Sequence, residues 1–261
     1  DDRPLLRRET LISLVHHHEA SGNAATIVTM RPDSAEGGRR VLRAPARSGE
    51  GRVMGILDPT RASAAPEPGS AETGAEAVAP VYAFRRDLLA PALRGLLPDP
   101  ERHETFLADV IGELATMGHR IGAMHLDDPS EALGVDDRWQ LALVERELRA
   151  RTNRRWLLEG VTMLDPRQTF IDVTVELGRD ITLFPGTMLQ GRTVVGDGSE
   201  IGPHTRLVDC VVGAGCVVQN TVAEDAEIGN GAKVGPFAHL APGAAVDPGV
   251  TTGPFYTGVS D

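Results

Sequence analysis

From Ile171 onward an aliphatic residue returns at every sixth position: Ile171, Leu177, Leu183, Leu189, Val195, Ile201 and Leu207. The series then slips by one residue to Val212 and Val218, takes a four-residue step to Val222, and resumes with Ile228, Val234, Leu240 and Val246. Four places after most of these stands a small or β-branched residue: Val175, Ile181, Thr187, Thr193, Ser199, Thr205, Cys216, Ala226, Ala232, Ala238 and Ala244. A period of six matches neither a helix face nor simple strand alternation, so the unit it predicts is a flat coil that repeats. The aliphatic side chain points into the stack. Glycine follows it at Gly178, Gly196, Gly202, Gly213, Gly229 and Gly235, where a tight corner calls for positive φ.

Composition narrows the alternatives. Aromatic residues make up only 4% of the chain, which suits an aliphatic coil better than an aromatic-rich sandwich. The net charge of −11 argues against a nucleic-acid partner, because a phosphate backbone needs clustered cations. Cys210 and Cys216 both fall inside the repeat and read as small core or turn residues in a reducing compartment, not as a disulfide or metal pair. No apolar run is long enough to span a bilayer and no signal-like start is present, so the expectation is a soluble, cytoplasmic protein without membrane contact. The chain opens on Asp1-Asp2 without Met, which leads us to expect a further segment upstream.

Residues 1–160 read as α/β. The pattern predicts an amphipathic helix over Glu9–Ala20, with Leu11, Ile12, Leu14 and Val15 on its apolar side and Gly22 beyond its end. Strands are expected at Ala25–Met30, Val41-Leu42, Val53–Leu57, Val81–Phe84 and Arg120–Leu126, with helices at Arg86–Leu97 and Glu104–Met117. Asp58 to Ala79 is rich in Ala, Pro, Ser, Gly and Glu and reads as a mobile surface loop. Asp136 to about Leu158 predicts a long charged helix whose apolar positions are Trp139, Leu141, Leu143, Val144 and Leu148. His16-His17-His18 cannot converge on one ion, since consecutive helix residues point about 100° apart. They read as a solvated helix end. Arg7-Arg8 and Arg151 with Arg154-Arg155 read as solvated helix faces.

The hexads resemble those of the hexapeptide-repeat transferases, whose fold is a left-handed parallel β-helix, an exception to the right-handed crossover rule. More specific stretches stand in order along the chain: Asp2-Arg3-Pro4-Leu5-Leu6, Gly134–Leu141, Gly160–Pro166, Ile171-Asp172, Pro185-Gly186-Thr187, Gly235-Pro236-Phe237 and Pro242-Gly243. Together they resemble the bifunctional bacterial N-acetylglucosamine-1-phosphate uridylyltransferase/glucosamine-1-phosphate N-acetyltransferase family. The resemblance implies α/β architecture in three parts: a partial Rossmann-like nucleotidyltransferase domain over 1–135, a helical arm over 136–160 and a left-handed β-helix over 161–261. It also implies a uridine nucleotide and a sugar phosphate as substrates, Mg²⁺ as cofactor, acetyl-CoA at the β-helix, and a homotrimer.

Carried over position by position, the family's metal ligands fall on Asp2 and Asp136, where carboxylates suit a hard cation. The other reading of these two is a solvated residue near a terminus and a helix-opening Asp-Asp pair. The sugar-facing carboxylates fall on Asp58, Glu76 and Glu104. Around them the pattern is altered. Gly38-Arg39-Arg40 replaces Tyr-Gly-Arg, and Glu76-Ala77-Val78-Ala79-Pro80 keeps the family's carboxylate but loses its amide and glycine. Val78 cannot hydrogen-bond a sugar hydroxyl, a loss on the order of 1–3 kcal/mol. In the acetyltransferase half the phosphate-meeting Arg is Ala241, the later Lys falls near Val259, and the general-base His would fall beyond Asp261. His204 and His239, placed on turns, read as structural. The expectation is therefore a sugar-1-phosphate nucleotidyltransferase-family protein in UDP-N-acetylglucosamine synthesis, impaired or inactive in turnover. The alternative is a non-catalytic paralogue, a pseudo-enzyme whose β-helix serves as a trimerising scaffold or regulatory partner.

Overall fold

The computed structural model describes residues 3–31, 39–45, 51–58, 72–96 and 107–259. The chain divides into two compact units, Asp1–Gln140 and Leu141–Asp261.

The first unit runs α1 (Arg8–Ser21), β1 (Ala25–Met30), β2 (Arg40–Arg43), β3 (Val53–Leu57), β4 (Glu72–Phe84), α2 (Arg86–Gly95), α3 (Asp109–Thr116) and β5 (Ile121–His125). Among the described residues these strands form one mixed sheet in the order β3-β2-β4-β1-β5. β1 pairs in parallel with β5 and antiparallel with β4. Because β1 is central, both its faces are covered and every residue from Ala25 to Thr29 is buried. Ile27 faces a core with Val41, Val53 and Val78 beneath Val110, Ile111 and Leu114 of α3. Val28 faces the other core, with Leu14 of α1, Ala79, Leu126 and Ala132. The period-two alternation of a strand thus separates the two cores.

Some expectations need correction here. The stretch read as a loop to Ala79 is strand from Glu72, because β4 pairs along both β1 and β2; residues 59–71 lie outside the described set. Of the apolar side assigned to α1, only Leu14 is buried, while Leu11, Ile12 and Val15 stay 43%, 43% and 49% exposed. α2 ends at Gly95, and residues 104–106 of the helix expected from Glu104 are outside the described residues. Arg7 is no solvated face. Its guanidinium pairs with Asp128, and its backbone N–H, like the Thr10 hydroxyl, donates to the buried carboxylate of Glu131. That carboxylate at the N-terminus of α1 complements the helix dipole. His16 and His17 are exposed as expected, whereas His18 reaches Thr26 Oγ1 at 2.9 Å.

The second unit holds α4 (Arg138–Leu158) from Leu141 onward, followed by a left-handed parallel β-helix of about five turns. Each coil contributes one short strand to each of three flat sheets, and pairing is parallel between successive coils. On one face Ile171, Leu189, Leu207, Ala223 and Leu240 stack in register. On the second the stack is Leu177, Val195, Val212, Ile228 and Val246; on the third it is Met163, Leu183, Ile201, Val218 and Val234. These side chains make one continuous core. Each fully buried aliphatic contributes roughly 1.5–3 kcal/mol relative to exposure.

The register corrects one position. Val222 is 46% exposed and Ala223 is the inward residue, because the strand alternates out, in, out across Val222–Glu224. The step from Leu189 to Leu207 is 18 residues and that from Leu207 to Ala223 is 16. The shortened coils turn at Asp209, Asn220 and Asp225, with φ of 51°, 45° and 45°. Short polar side chains tolerate that left-handed conformation best after glycine. The glycines that follow the aliphatic positions divide by role. Gly202 and Gly235 do take positive φ. Gly196 does not; a Cβ there would stand 2.6 Å from the Ala214 nitrogen of the next coil, so close coil approach excludes a side chain.

The second inward row holds as expected; Cys210, expected as a small core or turn residue, belongs to it, and so does Thr221. Its hydroxyls are buried and satisfied. Thr187 Oγ1 donates to Phe184 O at 2.7 Å, and Ser199 Oγ donates to Gly213 O at 3.0 Å on the next coil. A buried hydroxyl without such a partner would cost about 1–3 kcal/mol. Cys210 and Cys216 are free and buried, and burial pushes both thiols upward.

Helix α4 closes the open end of the prism. Trp156 packs into the same core beside Val161 and Met163, and Asn153 Nδ2 donates to Pro166 O (2.7 Å) and Thr169 O (2.9 Å). A stack of coils needs such a cap. Of the apolar positions expected on this helix, Val144 is buried, Leu143 and Leu148 are half-buried, and Trp139 and Leu141 are exposed at 72% and 47%. The sequence reading missed Asn153 and Trp156.

Candidate functional site

Two of the acidic residues assigned to the sugar, Glu76 in β4 and Asp58 just after β3, belong to strands of the first unit that β2 separates. Glu76 projects from β4, between β1 and β2 in the sheet. Its Oε2 accepts from Arg43 Nη2 at 2.6 Å and Arg43 Nε at 3.0 Å, and its Oε1 accepts from Thr29 Oγ1 at 3.2 Å. Asp58, at the end of β3, accepts from Arg39 Nε at 3.1 Å. Both carboxylates therefore sit in charge-assisted contacts from arginines of the same sheet. Arg43 also donates from Nη1 to Gly51 O at 2.9 Å and lines a recess of about 480 Å³ with Arg52, Arg120 and Ile121. Glu104 lies outside the described residues.

The replaced positions beside Glu76 do structural work. Val78 is 7% exposed within the core of Ile27 and Val41, and Ala79 is fully buried against Val28. Apolar packing fills this part of β4. Tyr82, further along β4, has its hydroxyl pushed upward by burial, with Arg39 opposing that shift.

Asp136 is exposed just before α4, and Asp2 lies outside the described residues. Gln140 bridges the Asp-Asp pair: its Oε1 accepts from the Asp136 backbone N–H, and its own N–H donates to Asp137 Oδ1 at 2.8 Å. Asp137 thereby caps the helix. Among the described residues no group of three or more His, Cys, Asp or Glu side chains converges as a metal cage. Two carboxylates with water completing the shell still match what Mg²⁺ accepts.

In the β-helix His204 sits exposed at a corner with φ 50°, its N–H bonded to Pro185 O at 3.1 Å. His239 is not on a turn. It lies in the strand His239–Leu240 and faces outward between Val222 and Thr257. Neither imidazole has a carboxylate to orient it among the described residues. Ala241 follows that strand.

No family model matches the chain. It is 43% identical over 228 residues to the bifunctional protein GlmU of Streptomyces avermitilis, covering 87% of this chain and 46% of that protein. The GlmU of Thermobifida fusca gives 43% over 228 residues, with 87% and 45% covered, and that of Bifidobacterium longum gives 38% over 229, with 87% and 47%. The chain spans about half the length of the curated relatives it matches. Among solved structures, a mutant GDP-perosamine N-acetyl transferase from Caulobacter crescentus, in complex with CoA and GDP-perosamine, covers 57% of this chain and 81% of its own. It does so at 19% identity and a TM-score of 0.37. The acetyltransferase domain of PglB from Neisseria gonorrhoeae, in complex with acetyl coenzyme A, covers 40% and 56% at 19% identity and a TM-score of 0.35. At those scores neither bears on the chemistry of this chain.

Proposed function

We propose, from the fact that this chain belongs to the GlmU family over the residues it shares with it, that the protein works in UDP-N-acetylglucosamine formation as a sugar-1-phosphate nucleotidyltransferase with impaired uridylyl transfer. The observation that carries this reading is Glu76. It sits where the family resemblance puts a sugar-facing carboxylate, yet Arg43 and Thr29 already hold both its oxygens. Asp58 and Glu104 complete the proposed sugar-facing set, with Asp58 held likewise by Arg39. A sugar hydroxyl must compete with these contacts, and the missing amide at Val78 removes a further partner. The cost falls on binding and on the aligned geometry that phosphoryl-type transfer depends on.

Asp2 and Asp136 are the residues that would hold Mg²⁺, whose charge would neutralise the phosphates of UTP. In the β-helix neither described imidazole is oriented by a carboxylate as a base for acetyl transfer. We further propose a homotrimer built side by side on the prism faces.

The test is pyrophosphate release from UTP and N-acetylglucosamine-1-phosphate with Mg²⁺. The reading expects slow turnover that Asp136→Ala abolishes. Complete inactivity beside a clean trimer mass would overturn it in favour of the second reading, a non-catalytic paralogue acting as a trimerising scaffold. That second reading draws on the same ion pairs and on a prism core continuous from Met163 to Val246.

A further inference from the structure

Helix α4 carries an arginine cluster that neither reading of the function uses. Arg146, Arg149, Asn153 and Leu157 follow one another at three, four and four residues, and Arg146, Ala150, Arg154 and Leu157 at four, four and three, so the two rows run side by side along the helix. With Ala150, Pro166 and Arg167 they line a groove of about 300 Å³ within the second unit. That volume is at the small end of sites for small molecules, which run from about 300 to 1,000 Å³. Its walls are apolar at Ala150, Leu157 and Pro166, and its floor is fixed by the two hydrogen bonds Asn153 gives to Pro166 O and Thr169 O.

The charges in this groove are unbalanced. On the same helix Arg151, 23% exposed, pairs with Glu147 at 3.1 Å, and Arg155, 48% exposed, with Glu159 at 4.0 Å; only Arg155 of these two is the solvated face that the sequence suggested. Arg154 is exposed, as expected of a solvated face. Among the described residues neither Arg146 nor Arg154 makes an ion pair or hydrogen bond, and Arg149 is held only over the Phe170 ring, 4.2 Å from its centroid. Arg167 has a contact with Asp165 Oδ1 at 3.4 Å and is 92% exposed. Glu145 and Asp172 line a second recess that shares Arg149 with this groove. Asp172 there accepts from the Gly191 N–H at 2.9 Å. A protein of net charge −11 thus gathers, on one concave, partly apolar surface, three guanidiniums that have no carboxylate partner among the described residues. Low-dielectric walls strengthen the field these charges set up.

We propose that this groove binds a small phosphate-bearing anion, held by Arg146, Arg149 and Arg154 with Arg167 at the rim. A guanidinium fork matches two oxygens of a phosphate or a carboxylate, which a halide cannot, and a phosphate has further oxygens and charge for the second and third guanidinium. The groove's size favours a small molecule over an acidic peptide.

The test is thermal melting of the full chain titrated with inorganic phosphate against sodium chloride at equal ionic strength, without nucleotide or Mg²⁺. The proposal expects a saturable rise in Tm. It expects the Arg146→Gln/Arg154→Gln variant to weaken the apparent affinity by about tenfold or more, and Arg151→Gln/Arg155→Gln to leave it within about twofold. No saturable response, retention in the first variant, or equal loss in the second would overturn it. If the first variant does not fold, phenylglyoxal labelling of the wild-type chain decides. Phosphate should protect Arg146 and Arg154 and leave Arg151 and Arg155 open; equal protection of all four, or protection by an Asp/Glu-rich peptide at lower concentration than phosphate, contradicts the assignment.

Discussion

The β-helix and the five-stranded unit bury similar side chains by opposite routes. In the β-helix each inward residue meets the one a coil earlier and a coil later, so every coil repeats the same local rule. In the first unit the order β3-β2-β4-β1-β5 joins strands far apart in sequence, and β1 is buried on both faces by two separate cores. The prism is quasi-one-dimensional, whereas the sheet depends on long-range pairing. Chemistry follows the same division. The prism's buried polar groups are all short hydroxyls and thiols, while the sheet keeps carboxylates and guanidiniums in contact.

Substitutions can break this contrast. The largest effect is expected from Ile201→Ala, which opens a cavity in the middle of the stack and should cost about 2–5 kcal/mol in chemical denaturation, with the flanking coils loosened together. Gly186→Ala comes next. Gly186 has φ 80°, and a Cβ there would stand 2.5 Å from His204 Nδ1 on the next coil, so a loss of about 1–3 kcal/mol should appear in the same transition. Arg43→Ala, in the sheet, strips Glu76 of its cation and should destabilise the first unit by about 1–3 kcal/mol, with no change in the β-helix transition. Thiol labelling sharpens the comparison without mutation. Cys210 and Cys216 should react with a disulfide reagent only as the prism unfolds, since burial raises both thiols and hides them.

The smallest effect is in pH dependence. Burial, the largest cause, holds His18 below its usual 6.5. The folded state then binds fewer protons than the unfolded chain, so the contribution is present above about pH 6.5 and is lost as pH falls below that and through the lower folded-state value. His18→Gln should flatten the acid limb of the first unit's melting curve and leave the prism's untouched.

This contrast also governs what could be read from the residues. A period of six fixed the prism because inward positions are chosen coil by coil. It failed only at Val222, where the chain shortens a corner and local spacing alone cannot tell which neighbour turns in. The end cap was invisible for a related reason: Asn153 and Trp156 look like any residues of a charged helix until a coil end stands against them. In the first unit the strand β1 was legible from its apolar run. The extension of β4 back to Glu72 was not, because it is imposed by two partners rather than by its own composition. The site residues were placed by family likeness, and nothing local to Glu76 or Asp58 announced that Arg43 and Arg39 would meet them across the sheet.

Spin labels on one outer face of the prism test its architecture most directly. Glu176, Val194, Val211, Glu227 and Ala245 pair strand to strand along that face. With strands about 4.8 Å apart, backbone positions 176 and 245 should be separated by about 19 Å, and 176 and 227 by about 14 Å, in a sample diluted with unlabelled chain. Distances that shrink by one strand spacing per coil are the predicted result. A separation between 176 and 245 beyond about 30 Å, or one unrelated to coil number, would contradict the stacked prism on which every other assignment stands.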